Sequence, residues 1–176
     1  MELRTDRLLL RHWKPEDAAQ LYELAKVPEI GEAAGWPPHN SVSMSEEVIN
    51  TIFNGEYIFA ILLRGTDTII GCVGLSYDSR CPIDKNEMIL GYWIGIPYQN
   101  KGYVTEACQA LIDKVFAETT LKGIWCGNFI GNTKSSNVQR KLGFGNPIMD
   151  VAKNWGMDSD EPVENRYLPN QNYNKK

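Results

Sequence analysis

The stretch that decides the fold is Gln99-Asn100-Lys101-Gly102-Tyr103-Val104, a polar turn holding one glycine and one lysine. It follows a run rich in aromatic and branched residues, Met88 to Ile96, and opens the most regular amphipathic pattern in the chain. There Val104, Ala107, Cys108, Leu111, Ile112 and Val115 recur at the spacing of a single helical face. A strand therefore feeds a helix through this turn. The first N–H groups of a helix have no internal partners, and the macrodipole favours anions at that end. Glycine allows close backbone approach to a phosphate, and Lys101 adds positive charge. On local physics the turn is either a pyrophosphate site or an ordinary strand-to-helix connection. No G-x-x-x-x-G-K-[ST] motif competes with it: Lys134 is displaced from Gly131, which itself follows Gly127. No G-x-G-x-x-G follows a strand near the N-terminus either, so triphosphate hydrolysis and dinucleotide redox chemistry fall away.

Outward from the turn, residues 7–11 read as an opening strand. Asp17 is placed to cap a helix with Ala18, Leu21, Tyr22 and Ala25 at helical spacing. Gly35-Trp36-Pro37-Pro38-His39 must be a loop. Ser43-Met44-Ser45-Glu46 matches a capping box and opens a helix through Val48, Ile49, Ile52 and Phe53. Tyr57–Leu63 and Ile69–Tyr77 read as strands of a hairpin turning at residues 64–68. Beyond the long helix, Ile124–Phe129 reads as a strand. Asn132 caps a short helix ending at Leu142-Gly143, and an irregular tail follows. The order implies a mixed α/β domain: three consecutive strands suggest an antiparallel half, and the strand-helix-strand step at 88–129 a parallel crossover.

Composition narrows the function classes. The 176 residues suit one domain, and 43% hydrophobic content supplies a core, which excludes disorder. A net charge of −4 argues against bulk binding to nucleic acid. No apolar run approaches the roughly 20 residues that span a bilayer, and Leu8–Leu10 is too short for a signal segment. A soluble, cytoplasmic chain without a membrane partner is expected. Cys72, Cys81, Cys108 and Cys126 form no C-x-x-C pair, so zinc spacing is absent and no metal is expected. Reduced thiols packed as small hydrophobes are the default. His12 and His39 lie in polar segments, where a surface role is expected.

Four segments, in order, carry a family resemblance. Gln99-x-x-Gly102-x-Val104 resembles the Q/R-x-x-G-x-G/A acyl-CoA pyrophosphate loop of the GNAT acetyltransferase superfamily. Thr5-Asp6-Arg7-Leu8-Leu9-Leu10-Arg11 is similar to the opening strand of its RimJ/RimL-like branch. Gly91-Tyr92-Trp93-Ile94-Gly95, running into Gln99, resembles that branch's fourth strand. Asn132-x-x-Ser135 with Lys141-Leu142-Gly143-Phe144 resembles its closing N-x-x-S…K-L-G-F signature. The likeness covers residues 4–145 of a single domain spanning 1–176, with 146–176 a tail completing the acceptor side. Two positions depart from the pattern. Val104 stands where the loop usually ends in Gly or Ala, and Ile89 where a glutamate is often found. Glu87 lies two residues earlier on the same strand face.

The resemblance implies an α+β type of α/β fold. Its central sheet is mixed and mostly antiparallel, splayed between the fourth and fifth strands and flanked by helices. It implies transfer of acetyl from acetyl-CoA to a primary amine by direct attack, foremost a protein N-terminal α-amine. A small amine (polyamine or antibiotic) and a non-catalytic acyl-CoA-binding module are the alternatives, and a homodimer is left open. Ile94, Gly95 and Ile96 would form the exposed strand edge that pairs with pantetheine, one amide polarising the thioester carbonyl. Gln99 and the amides of Asn100, Lys101, Gly102, Tyr103 and Val104 would hold the pyrophosphate, and Asn132 the pantetheine arm. Ser135 would donate a hydrogen bond to the leaving sulfur, or merely support the helix start. Glu87 would be the base, or a solvated strand residue. Trp36 would wall the acceptor groove, or simply pack, and Tyr92 is a second aromatic candidate on the substrate side, with Tyr98 unassigned.

Overall fold

The computed structural model describes residues 1–77 and 84–173, so Cys81 lies outside the described residues. The chain runs β1 (Glu2–Arg4), β2 (Leu8–Arg11), α1 (Ala18–Ala25), α2 (Pro28–Ala34), α3 (Val42–Thr51), β3 (Ile58–Leu63), β4 (Ile69–Ser76) and β5 (Glu87–Ile94). It continues through α4 (Tyr103–Glu118), β6 (Gly123–Phe129), α5 (Thr133–Lys141), β7 (Ile148–Asn154) and β8 (Ser159–Pro169). Single 3₁₀ turns precede α1 (Pro15–Asp17) and follow β5 (Ile96–Tyr98). One sheet of eight strands forms in the order β1-β2-β3-β4-β5-β6-β8-β7. Its neighbours pair antiparallel except β5 and β6, which are parallel across the α4 crossover. The strand that the sequence counts as fourth is thus β5, because β1 precedes it.

Each face of the sheet carries its own core. On one, the predicted stripe of α4 is buried in full, Val104 through Val115, against Leu8, Leu10, Phe59, Ile61, Val73 and Leu90. On the other, Leu21 and Ala25 of α1 and Ile49 of α3 pack with Trp13 over Ala60, Leu62 and Cys72. Burying one such leucine or isoleucine contributes about 1.5–3 kcal/mol. Cys72, Cys108 and Cys126 are buried free thiols, as expected of small hydrophobes.

Several local expectations need correction. Asp17 does not cap α1. Its carboxylate accepts from the Lys14 N–H at 2.9 Å and meets the Arg11 guanidinium at 2.6 and 2.9 Å, so a buried ion pair takes the cap's place. Helix α3 begins earlier than expected, with the Ser41 hydroxyl accepting from the Met44 N–H at 3.1 Å. Helix α2 lacks a clear apolar period and buries only Ile30 and Gly31. Gly31 is required there, since a Cβ would come within 2.4 Å of the Trp36 carbonyl oxygen. His39 is buried rather than exposed. The tail is not irregular: β8 pairs with β6 from Gly123↔Pro169 to Phe129↔Val163, and β7 pairs with β8 along its length.

Candidate active site

Strands β5 and β6 pair only at Glu87↔Gly123, Met88↔Ile124 and Ile89↔Trp125. Beyond Ile89, β5 stays with β4 while β6 follows β8, and the sheet splays as expected. The antiparallel ladder fixes which β5 amides face the gap. Gly95 N–H donates to Ile70 O at 2.8 Å, so alternation directs Trp93 and Gly95 toward β4. The N–H and C=O groups of Tyr92 and Ile94 therefore turn toward the splay. Of the expected edge residues, Ile94 fits, but the Gly95 amide is already occupied, and Ile96 has entered the 3₁₀ turn.

The turn at the head of α4 has the geometry an anion site requires. Asn100 (φ 62°) and Gly102 (φ 78°) are left-handed, and the helix's first internal bond runs from Glu106 N–H to Gly102 O. The amides of Tyr103, Val104 and Thr105 precede that bond at the positive end of a 16-residue helix. Val104 sends its side chain into the core, so the departure from Gly or Ala leaves its amide in place. Lys101 is different: its ammonium turns back to Pro97 O at 2.9 Å and does not line the cleft. Two lysines of α5, Lys134 and Lys141, stand on the cleft wall instead, and Lys134 donates to Gln99 Oε1 at 2.7 Å. Arg7 braces the turn by donating to Lys101 O at 2.9 Å and pairing with Glu106 at 2.6 Å. Burial alone would raise the Glu106 carboxyl, but hydrogen bonds from Thr5 and Arg7 outweigh it and hold it below its ordinary value.

Across the splay, Asn132 caps α5 by accepting from the Ser135 N–H at 3.1 Å, and its amide donates to Ala33 O at 3.3 Å. Tyr92 reaches over from β5. Its hydroxyl lies 2.9 Å from Ser135 Oγ and donates to Ser135 O at 3.2 Å. Burial, the largest cause, pushes the Tyr92 phenol well up, so it stays a protonated donor. Behind the pair, buried Gln139 donates to Asn128 Oδ1 at 2.9 Å and lies 3.4 Å from Ser135 Oγ. Buried Arg166 on β8 donates to Gln139 Oε1 at 3.3 Å and to Glu164 at 2.7 Å. Residues 135 and 139 lie one helical turn apart, a spacing that could have suggested Gln139. Asn128 and Arg166 come from strands β6 and β8, outside that helical spacing; Arg166 carries only a faint family likeness, in Arg166-Tyr167-Leu168.

The cleft between these walls has a volume of about 1070 Å³. It brings together Trp36, Tyr92, Ile94, Ile96, Gln99, Asn100, Gly102, Tyr103, Val104, Asn132 and Ser135. Trp36 stands edge-on to Trp93 at 6.0 Å and beside His39 at 5.5 Å. Glu87 does not line this cleft. It lies where β5 and β6 still pair, and its two oxygens accept from Trp125 Nε1 at 2.8 Å and Tyr167 OH at 3.0 Å. Burial first, then the Glu87 bond, pushes the Tyr167 phenol up to about 12. Among the described residues no group of three His, Cys, Asp or Glu could hold a metal ion, and no helix is long and apolar enough to cross a membrane.

A splayed mixed sheet, with a free stretch of strand edge beside a helix N-terminus, suits an extended anionic ligand, as the resemblance to acyl-CoA-dependent transferases implies. Comparison with known proteins places it further. The model of the GNAT acetyltransferase domain matches residues 7–145, and the chain belongs to that family. It is an acetyl-CoA-dependent N-acetyltransferase. A curated relative, the uncharacterized N-acetyltransferase p20 of Bacillus licheniformis, is 30% identical over 147 residues, 81% of each chain. The fold matches a putative ribosomal-protein-serine acetyltransferase from Vibrio cholerae with a TM-score of 0.77 and 23% identity, over 96% of this chain and 97% of that one. It also matches a spermidine N-acetyltransferase from Vibrio cholerae, solved with CoA and spermine, with a TM-score of 0.76 and 18% identity over 96% and 99%.

Proposed function

We propose that the acceptor is the N-terminal α-amine of a protein, acetylated by direct attack in the splay. The observation that carries this reading is the charge of the cleft wall. Among the described residues that line it, Glu29 is the one carboxylate. A polyamine carries several positive charges and calls for several carboxylates, whereas a peptide terminus presents one ammonium followed by an apolar or neutral chain. Apart from His39, the rest of the acceptor end is apolar and aromatic, with Trp36, Pro37, Met44, Ile52 and Phe53. The β7–β8 hairpin braces α2 and the loop that carries Trp36, because Trp155 N–H donates to Gly35 O at 3.0 Å and Asn154 to Glu32 O at 3.4 Å.

Acetyl-CoA supplies the activated acetyl group when bound. The amides at 103–105 and Lys134 fit its pyrophosphate, and the Tyr92 and Ile94 edge fits its pantetheine, one amide facing the carbonyl oxygen. Asn132 holds the start of α5. The Tyr92–Ser135 hydroxyl pair is the proton donor for the departing sulfur. Glu87, held by two donors outside the cleft, is a structural acceptor in this reading. Buried free thiols fit the reducing cytoplasm.

The test is CoA release, followed with a thiol reagent, across peptides beginning with Ser or Ala, spermidine and aminoglycosides. Turnover of the peptides alone is expected. Turnover of spermidine alone would refute the reading, and binding of acetyl-CoA without any acceptor-dependent release would point to a non-catalytic module.

A further inference from the structure

His39 follows two prolines in a polar segment, yet it is only 8% exposed and its ring lines the cleft. Its backbone N–H donates to Ala25 O at 3.1 Å, tying the loop to the end of α1. Its Nδ1 lies 2.8 Å from Ser45 Oγ on α3, and Ser45 is wholly buried. The Ser45 hydroxyl donates to Ser41 O at 3.4 Å, a common bond toward the carbonyl one turn back. With that bond made, its oxygen is free to accept from Nδ1–H, the tautomer that puts the lone pair of the neutral ring on Nε2. Nε2 has no hydrogen-bond partner among the described residues. It is not sealed in, because the buried unpartnered side-chain nitrogens among those residues are the indoles of Trp13 and Trp93. Nε2 therefore opens on the cleft beside the Trp36 ring.

We propose that His39 is the base that removes the proton from the attacking amine, with Ser45 as its positioning residue. This rests on the reading that the amine enters at the Trp36 end of the cleft. An N-terminal amine, with an ordinary pKa of about 7.7–8.0, arrives mostly protonated at neutral pH. One ammonium N–H bond breaks toward Nε2, and the freed lone pair forms the C–N bond while the C–S bond breaks. The nitrogen's second surplus proton ends on the sulfur through the Tyr92–Ser135 hydroxyls, and the imidazolium returns its own to solvent. One ammonium and one thioester give one amide, one thiol and one proton. Burial lowers the ring's pKa from 6.5, with no charged neighbour contributing, so it is neutral and able to accept at pH 7. Helices α1 and α3 turn apolar side chains to the cleft; the other titratable groups on its wall are Glu29, Cys72, Cys126, Tyr92, Tyr98 and Tyr103, with Lys134 and Lys141 of α5.

Two measurements test this. Proton–nitrogen correlation spectra of protein labelled with ¹⁵N-histidine report the tautomer whatever the acceptor. A bare Nε2 with Nδ1–H at neutral pH is expected, and an Nε2–H ring overturns the proposal. His39→Gln and Ser45→Ala are then assayed by thiol release with a Ser-Ala-starting peptide and with spermidine. His39→Gln should lower kcat at pH 7 by about a hundredfold at unchanged Kd for acetyl-CoA, and the deficit should shrink above about pH 9, where the amine is already neutral. Ser45→Ala, the gentler change, should lower kcat about tenfold. A deficit equal at both pH values, or wild-type rates in both variants, overturns it. Turnover of spermidine but not peptide would refute the peptide acceptor alone, leaving the His39 comparison to be read on spermidine.

Discussion

At the scale of single residues, Ser135 and Glu87 separate by what surrounds them. Ser135 faces the cleft with Tyr92 at 2.9 Å, and the two hydroxyls hold two protons, one more than their mutual hydrogen bond needs. Removing one leaves the other to act, so neither single loss should abolish turnover. Ser135→Ala is expected to lower kcat about tenfold or more with little change in acetyl-CoA affinity, and Tyr92→Phe to do likewise. Steady-state kinetics beside calorimetric Kd values check this, and an unchanged kcat in Ser135→Ala removes that hydroxyl from catalysis. For Glu87 the expectation reverses. Its carboxylate satisfies two half-buried donors, so Glu87→Gln should cost about 1–2 kcal/mol of stability and leave kcat near wild type. Denaturant unfolding measures the first. A hundredfold fall in kcat with stability intact would restore Glu87 as the base.

Among the elements, α4 and its preceding turn were the most legible, because an amphipathic helix writes its buried face into local spacing. All six residues of the expected stripe are buried. The turn's polarity and glycine were equally readable, but the direction of the Lys101 side chain was not, since it depends on the Pro97 carbonyl brought close by the 3₁₀ turn. The β7–β8 hairpin was illegible for a related reason. Most β7 side chains are exposed, and β8 alternates among acids, proline and polar residues, so hydrophobic period carries no signal. What orders these strands is pairing with β6, a tertiary partner distant in sequence. Helix α2 hid similarly behind Gly31, a residue demanded by close approach to Trp36. The loop assignment itself is tested by Gly102→Asp. The position is left-handed, where a side chain costs roughly 1–2 kcal/mol, and a Cβ there lies 3.4 Å from Arg7 Nη2. The new carboxylate would compete with Glu106 for the guanidinium that braces the turn and add negative charge beside the amides that fit pyrophosphate. The Kd for acetyl-CoA should rise at least about tenfold, and normal affinity would sink the assignment.

Over the whole molecule, the same burial that makes His39 a neutral base couples stability to pH. Its pKa is lowered in the folded chain from an ordinary 6.5. Above 6.5 both folded and unfolded chains carry a neutral ring, and the contribution is fully present. As the pH falls below 6.5 the unfolded chain takes up a proton that the folded chain resists, so stability declines until the folded ring titrates as well. The depressed carboxyls behave in the same sense but lower on the scale. Glu106 and Glu164 lose their contribution as the pH falls below 4.5, and Asp84 and Asp158 below 3.8. The melting temperature should therefore hold between about pH 7 and 8, fall gently from 6.5, and fall steeply only below 4.5. His39→Gln removes the ionisable ring from both states and should flatten the first decline without touching the second. Scanning calorimetry of the two proteins from pH 4 to 8 checks this. If the gentle decline persists in His39→Gln, another group titrates there, and the ring is not held neutral by the fold.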